Sequence, residues 1–202
     1  MDYYKLRNQI IKELKNILTP KEFAHSLGVE AECVKLAYLT KNEKMIRPVS
    51  IAALIHDYAK CMPIDVMLKN IEKHKIKIKN KGSKISSRGL LHGHISAHFA
   101  ITMFKIRDMK IINAIKHHTT GRPRMNIIEK ILFIADFIEP TRDFKEVSDI
   151  RKTVYDFIIR ENSINKALKA VMTNKIKYLE IKNIAIDADT KKTYESLDEF
   201  GL

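Results

Sequence analysis

His56 and Asp57 stand side by side at the end of the apolar run Ile51 to Ile55, within IAALIHDYAK, and Lys60 follows one turn later. An imidazole and a carboxylate at the end of a buried helix are costly to desolvate, and a divalent metal compensates both. The pair therefore reads as half of a metal site. Neighbouring helical residues point about 100° apart and cannot enclose an ion alone. Further ligands must come from elsewhere, and the histidines and aspartate that lie beside helix patterns are His25, His92, His118 and Asp136. Asp136 is notable because it falls late in the stripe Ile128, Ile131, Leu132, Ala135, where a negative charge opposes both the helix dipole and an apolar environment.

Each of these has a plainer reading. A lone histidine on a helix is more often a hydrogen-bonded core or boundary residue. His94 and His98, four apart on one helical face, compete with His92, since that spacing can bind a metal by itself. His117 and His118 could both be C-terminal cap residues before the helix stop Gly121-Arg122-Pro123, yet Thr119, Thr120, Gly121 and Arg122 also suit phosphate oxygens.

The elements that must position these groups are all helical. Leu6, Ile10, Leu14, Ile17 and Leu18 give an amphipathic helix over Tyr3 to Leu18. Thr19-Pro20-Lys21-Glu22 matches a capping box that opens a helix to Thr40, where His25, Val29, Glu32 and Leu36 share a side on or beside the face of Leu27, Val34 and Leu39. Pro48 opens the helix carrying the His56-Asp57 pair, whose nearly continuous apolar run predicts a central position, and Pro63 opens a short helix through Ile71. Lys73 to Arg88 is lysine-rich and turn-rich and is expected to be mobile, a solvated loop before it is a phosphate-attracting lid.

A helix then runs from Leu90 through Met103, and a shorter one from Lys110 to His117. A second capping box, Asn126 with Glu129, starts the helix Ile127 to Ile138, which Pro140 ends. After the loop Thr141 to Lys145, which contains Arg142, helices are predicted over Val147 to Arg160, Ser163 to Lys182 and Thr190 to Phe200. No alternating strand pattern and no internal repeat occur, so the fold class is all-α.

Composition sets outer bounds. With 45% hydrophobic and 30% charged residues among 202, the chain reads as an ordinary globular protein. Its formal charge of +13 attracts polyanions, whether nucleic acid, nucleotide or acidic lipid, although a lysine-rich proteome produces the same bias. No apolar run approaches the roughly 20 residues of a membrane span, and MDYYKLRNQI is too polar for a secretory signal, so a cytoplasmic protein is expected. Cys33 and Cys61 read as reduced thiols.

Taken together, His25, His56-Asp57, His92, His118 and Asp136 form the order H…HD…H…H…D on successive helices. This resembles the HD-domain superfamily of metal-dependent phosphohydrolases. Within it the segments HSLGV, AALIHDYAK, LLHG, HHTTGRP and IADFIEPTRD resemble the bacterial YqeK family, which hydrolyses diadenosine tetraphosphate symmetrically to two ADP. The resemblance covers about residues 5 to 195.

It implies a helical bundle with a metal centre between the core helices, in a single HD domain spanning 1–202. The core would be about 20–140, with flanking helices 3–18 and 146–200 packed on it. It also implies the ligand set His25, His56, Asp57, His92, His118 and Asp136, with His118 preferred to His117. His94 and His98 become packing or surface residues, His94 being the better outside candidate.

Six ligands are too many for one metal that keeps an open position, but suit two metals bridged by Asp57 around a nucleophilic water. Nitrogen-rich coordination argues for a transition ion over magnesium. The resemblance implies iron, with manganese or cobalt as substitutes. Asp57 and Lys60 are then the catalytic pair, Lys60 stabilising charge, and its other reading is a helix C-terminal cation. Thr119, Thr120, Gly121, Arg122 and Arg142 would hold phosphate or the ADP moiety. The implied partner is a nucleotide polyphosphate, without need of membrane or nucleic acid, and a homodimer is a possible assembly. The alternatives are an HD phosphohydrolase for a mononucleotide or guanosine alarmone and, in a different class, a basic nucleic-acid or ribosome-binding module.

Overall fold

The computed structural model describes residues 2–78, 88–142 and 145–198, and among these every regular element is a helix. In chain order they are α1 (Tyr3–Ile17), α2 (Pro20–Leu39), a single 3-10 turn (Glu43–Met45), α3 (Ile46–Ile55), α4 (Ile64–Lys73), α5 (Arg88–Thr102), α6 (Met109–His117), α7 (Ile127–Ile138), α8 (Lys145–Ile159), α9 (Ile164–Ile181) and α10 (Ala188–Asp198). The fold is all-α, as the periodicity predicts.

The centre is α3. Every residue from Val49 to Ile55 is buried, because a helix that is apolar all round can be stable only when neighbours cover every side. Those neighbours are α1, α2, α5, α6 and α7. The start of α3 lies at Ile46 and not at Pro48, which occupies the first turn where a missing N–H is harmless. Nor does α3 contain the His56-Asp57 pair. It ends at Ile55 with His56 as its C-cap, and the chain then tightens into three-residue turns, Tyr58 N–H to the Ile55 carbonyl (3.0 Å) and Lys60 N–H to the Asp57 carbonyl (2.9 Å).

The other elements form because one face of each can reach this centre. α1 buries the stripe Leu6, Ile10 and Leu14, and α2 buries His25, Val29, Cys33 and Leu36, while Leu27, Val34 and Leu39 stay half-buried. Glu30, buried between them, accepts two hydrogen bonds from Arg7 (2.6 and 2.7 Å) and one from the Ser50 hydroxyl (2.6 Å), which ties α1, α2 and α3 together. The capping box of α7 is present in full. At α2 only half of the expected box forms, since Thr19 accepts from the Glu22 N–H (3.3 Å) but the Glu22 carboxylate pairs with Lys60 (3.2 Å) instead.

Ile150, Val154 and Ile158 of α8 and Ala167, Leu168, Val171 and Met172 of α9 join the same continuous apolar cluster as α2, α3 and α7. α4 and α5 share a smaller one built on Met67, Ile71, Leu91 and Ile95. Of the stretch expected to be mobile, residues 79–87 lie outside the described residues. Lys73 ends α4, and α5 already begins at Arg88.

Candidate metal centre

Five elements converge on one point. His25 comes from α2, His56 and Asp57 from the turn after α3, His92 from α5, His118 from the C-cap of α6 and Asp136 from the last turn of α7. Three overlapping sets, His25 with His56 and Asp57, His56 with His118 and Asp136, and Asp57 with His92 and His118, bring their donor atoms within 4.8 Å of one another.

Close approach is built into the helices. A side chain on Gly28 would meet Glu139 Oε2 at 2.6 Å, and one on Gly93 would meet the Lys116 carbonyl at 2.9 Å and the His118 ring at 3.3 Å. The glycines of HSLGV and LLHG are therefore contact points that let α2 and α5 bring in their histidines.

All four imidazoles are held by Nδ1. His56 donates to the Ala53 carbonyl (2.5 Å), His92 to the Arg88 carbonyl (3.1 Å) and His118 to the Ile115 carbonyl (2.8 Å), while His25 pairs with Glu139 Oε1 (3.0 Å). A carbonyl can only accept, so these bonds fix the tautomer and leave each Nε2 facing inward.

The Nε2 atoms of His92 and His118 lie 2.9 Å apart, and Asp57 Oδ1 sits 2.9 Å from the first and 3.4 Å from the second. On the other side, Asp57 Oδ2 lies 3.6 Å from His25 Nε2 and 3.2 Å from His56 Nε2. Asp136 Oδ1 approaches the same two rings at 3.1 and 3.9 Å. His25 Nε2, His56 Nε2 and Asp57 Oδ1 are buried with no hydrogen-bond partner among the described residues. Lone pairs converging in a buried pocket repel one another unless a cation is shared between them, and imidazole with carboxylate is a donor set that divalent metals take. The residues fit a divalent metal.

The charges are strongly coupled. Burial alone would raise the Asp57 carboxyl, but the surrounding imidazoles of His56, His118 and His92 hold it well below the usual carboxylate range. Asp136 is likewise held low against its burial, chiefly by Arg142, whose Nη2 donates to Oδ1 at 2.9 Å. The two sides differ for histidine. Burial disfavours a charged His25, yet the neighbouring carboxylates of Asp136, Glu139 and Asp57 win and raise it to about 9, whereas burial lowers His118 to about 4 against the pull of Asp57.

Around this cluster Lys60 donates to Asp57 Oδ2 (2.7 Å) and pairs with Glu22 (3.2 Å), so it faces the site and does not serve as a helix C-terminal cation. The Thr119 hydroxyl lies 3.2 Å from His118 Nε2. The remaining expected phosphate groups are spread further out. Thr120 donates to the Gly121 carbonyl (2.9 Å), Gly121 packs on Thr193 of α10, and Arg122 makes a two-pronged pair with Glu129 (2.5 and 2.8 Å) beside a cavity of about 510 Å³ under α10. His94 is directed toward His117, and His98 stacks on His74 with ring centres 4.5 Å apart, so none of His94, His98 and His117 joins the converging donors.

Three participants carry no sequence signal that points to the site. Glu139 orients His25 and is itself held by the Thr141 hydroxyl (2.5 Å) and N–H (2.7 Å). Glu22 restrains Lys60. Lys175 of α9 donates to the Thr119 carbonyl. Only Glu139 could have been suspected, as a carboxylate one turn after Asp136.

Comparison with known proteins agrees with this geometry. The HD domain family matches residues 23–141. The chain is 32% identical over 191 residues to the "Bis(5'-nucleosyl)-tetraphosphatase, symmetrical" of Halalkalibacterium halodurans, covering 95% of this chain and 96% of that one. It is 31% identical over 191 residues to the protein of the same description from Bacillus subtilis, with 95% and 97% covered. Among solved structures, a "predicted HD superfamily hydrolase involved in NAD metabolism" from Clostridium acetobutylicum is 33% identical and superposes with a TM-score of 0.83 over 96% of this chain and 97% of that one. Motif order, converging ligands and near full-length similarity agree: the chain belongs to the HD domain family and, within it, to the group of the symmetrical bis(5'-nucleosyl)-tetraphosphatases.

Proposed function

We propose that the protein hydrolyses diadenosine tetraphosphate, and related dinucleoside polyphosphates, symmetrically to two ADP at a centre holding two transition-metal ions. The observation that carries the reading is the division of Asp57. One of its oxygens faces His25 and His56 and the other faces His92 and His118, the arrangement of a bridging carboxylate. The described activity of the full-length relatives supports the substrate.

His25, His56, Asp57 and Asp136 would hold one ion, and Asp57, His92 and His118 the other. Four nitrogen donors favour transition ions over magnesium, and the family resemblance points to iron, with manganese or cobalt as substitutes. Bound there, such ions lower the pKa of water to near neutrality and offset polyphosphate charge.

The protein's own groups then orient and neutralise. A bond forms from water oxygen to one of the two inner phosphorus atoms and the central P–O–P bridge breaks at that atom; one ADP leaves with the bridging oxygen, the proton of the water passes to solvent, and each product keeps two phosphates. ADP leaves readily, and charge stabilisation is what the reaction needs most. Lys60, fixed between Asp57 and Glu22, supplies it on one side. Arg142 supplies it beside Asp136, and Thr119 offers a hydroxyl beside His118. Thr120, Gly121 and Arg122 would meet the more distant part of the substrate. No helix of the described residues is long and apolar enough to cross a membrane, which suits a nucleotide hydrolase of the cytoplasm.

Anion-exchange analysis of diadenosine tetraphosphate incubated with the protein, with and without added iron or manganese, tests the reading beside a His56→Ala, Asp57→Ala control. Metal-dependent ADP as sole product, absent in the control, is expected. ATP plus AMP would mark an asymmetrical enzyme, and no turnover with any metal would remove this substrate.

A further inference from the structure

Helix α9 lies wholly outside the stretch matched by the HD domain family, yet it sends one side chain to the edge of the metal centre. Lys175 donates from Nζ to the carbonyl of Thr119, the residue that follows His118, and its ammonium sits 4.9 Å from the ring centre of Phe133. Phe133 lies one turn before Asp136 on α7, so the ammonium reaches the junction of two elements that carry candidate ligands. It is close enough to Asp136 and Arg142 to feel both charges, attracted by the first and repelled by the second.

An ammonium has three N–H donors and strongly prefers water or anionic acceptors. Among the described residues Lys175 has one carbonyl and one aromatic face, and no carboxylate within ion-pair distance. Burial lowers its pKa to about 8, the sign of a cation short of negative partners. Most lysines among the described residues are exposed. Lys175 is half-buried, and its ammonium turns inward to the Thr119 carbonyl and the face of Phe133, where the Thr119 hydroxyl and Arg142 already face the site. A phosphate group supplies the anionic acceptor that the surroundings lack.

We propose that Lys175 is a substrate-binding residue, contributed by α9 from outside the HD core, whose ammonium takes a phosphate of the nucleotide on the Thr119 side of the centre. This rests on the polyphosphate reading of the site and extends it. It gives α9 a part in recognition, whereas the plain alternative is a lysine that only braces the Thr119 backbone.

The test measures ADP affinity calorimetrically, with manganese present, for the wild type, K175Q, K175M and K175R, together with metal content and thermal midpoint. K175Q keeps a donor for the Thr119 carbonyl but loses the charge. A charged hydrogen bond of ordinary strength predicts roughly 10- to 100-fold weaker ADP binding in K175Q and K175M, with K175R close to wild type and metal content unchanged. Wild-type affinity in K175Q overturns the proposal in favour of bracing, as does an equal loss in K175R or a wild type that does not bind ADP. Turnover of diadenosine tetraphosphate is followed in parallel. If ADP binds but no turnover occurs, the activity reading fails while the affinities still decide the role of Lys175.

Discussion

The two sides of the metal centre use the same residue types to opposite effect. Around His25 stand three carboxylates, Asp57, Asp136 and Glu139, and they raise that imidazole to about 9. Around His118 stand His92, His56 and a single oxygen of Asp57, and burial drives that imidazole down to about 4. Without a metal the two imidazoles are thus pushed in opposite directions, His25 toward its charged form and His118 toward its neutral one. Site composition of this kind decides what each side must release before a metal enters. Among the described residues Asp57 alone puts one oxygen on each side.

Asp57→Ala should erase the contrast altogether. Both positions lose their common ligand, and activity should fall on the order of 10³-fold or more, as when a group acting as a unit is removed. Steady-state rates and elemental analysis check this.

Breaking one side at a time sharpens the contrast. His118→Ala and His25→Ala should each remove about one metal per chain and lower the rate on the order of 10²-fold, through different ions. Metal titration of the two variants should show different residual affinities, and identical ones would argue for a single shared ion.

Glu139→Gln acts only behind His25. Loss of an outer partner of a ligating histidine typically lowers metal affinity about 10- to 100-fold. The weakened binding step should be the one absent in His25→Ala and unaffected in His118→Ala.

The pH dependence of the metal-free protein is the smallest effect and follows from the same contrast. His25 is raised above its unfolded value of about 6.5, so its contribution is fully present below that pH and is lost as pH rises through about 9. His118 is lowered, so the unfolded chain binds the extra proton between about 4 and 6.5, and stability falls as pH drops through that window. Thermal midpoints should peak near pH 6–7. His25→Asn should flatten the alkaline limb and leave the acid limb in place.

The same physics explains what could be read from sequence. His56-Asp57 and Asp136 were legible because charge at the end of an apolar helix contradicts its surroundings, and such conflicts mark sites. The helices were legible through their stripes and caps, with errors confined to ends such as Pro48, where the first turn tolerates proline at several positions. The choice between His117 and His118 was not legible from spacing, because both suit a C-terminal cap, and only the direction of the last turn of α6 separates them.

Sequence marks Glu22 and Glu129 as capping-box residues, yet the Glu22 carboxylate goes to Lys60 instead and that of Glu129 to Arg122 as well as its cap, cations that local sequence cannot place. Lys175 is one lysine among several on α9, and nothing short of the packing of α9 on α7 distinguishes it. The fold's long-range contacts, not its local patterns, decide which polar residues become functional.

The most direct measurement of the central claim is metal content per chain by elemental analysis, after loading with manganese or iron and removal of excess, for the wild type and Asp57→Ala in parallel. A two-metal centre bridged by Asp57 predicts about two ions per wild-type chain and fewer than one in the variant. One ion per wild-type chain, or two retained without Asp57, would contradict it.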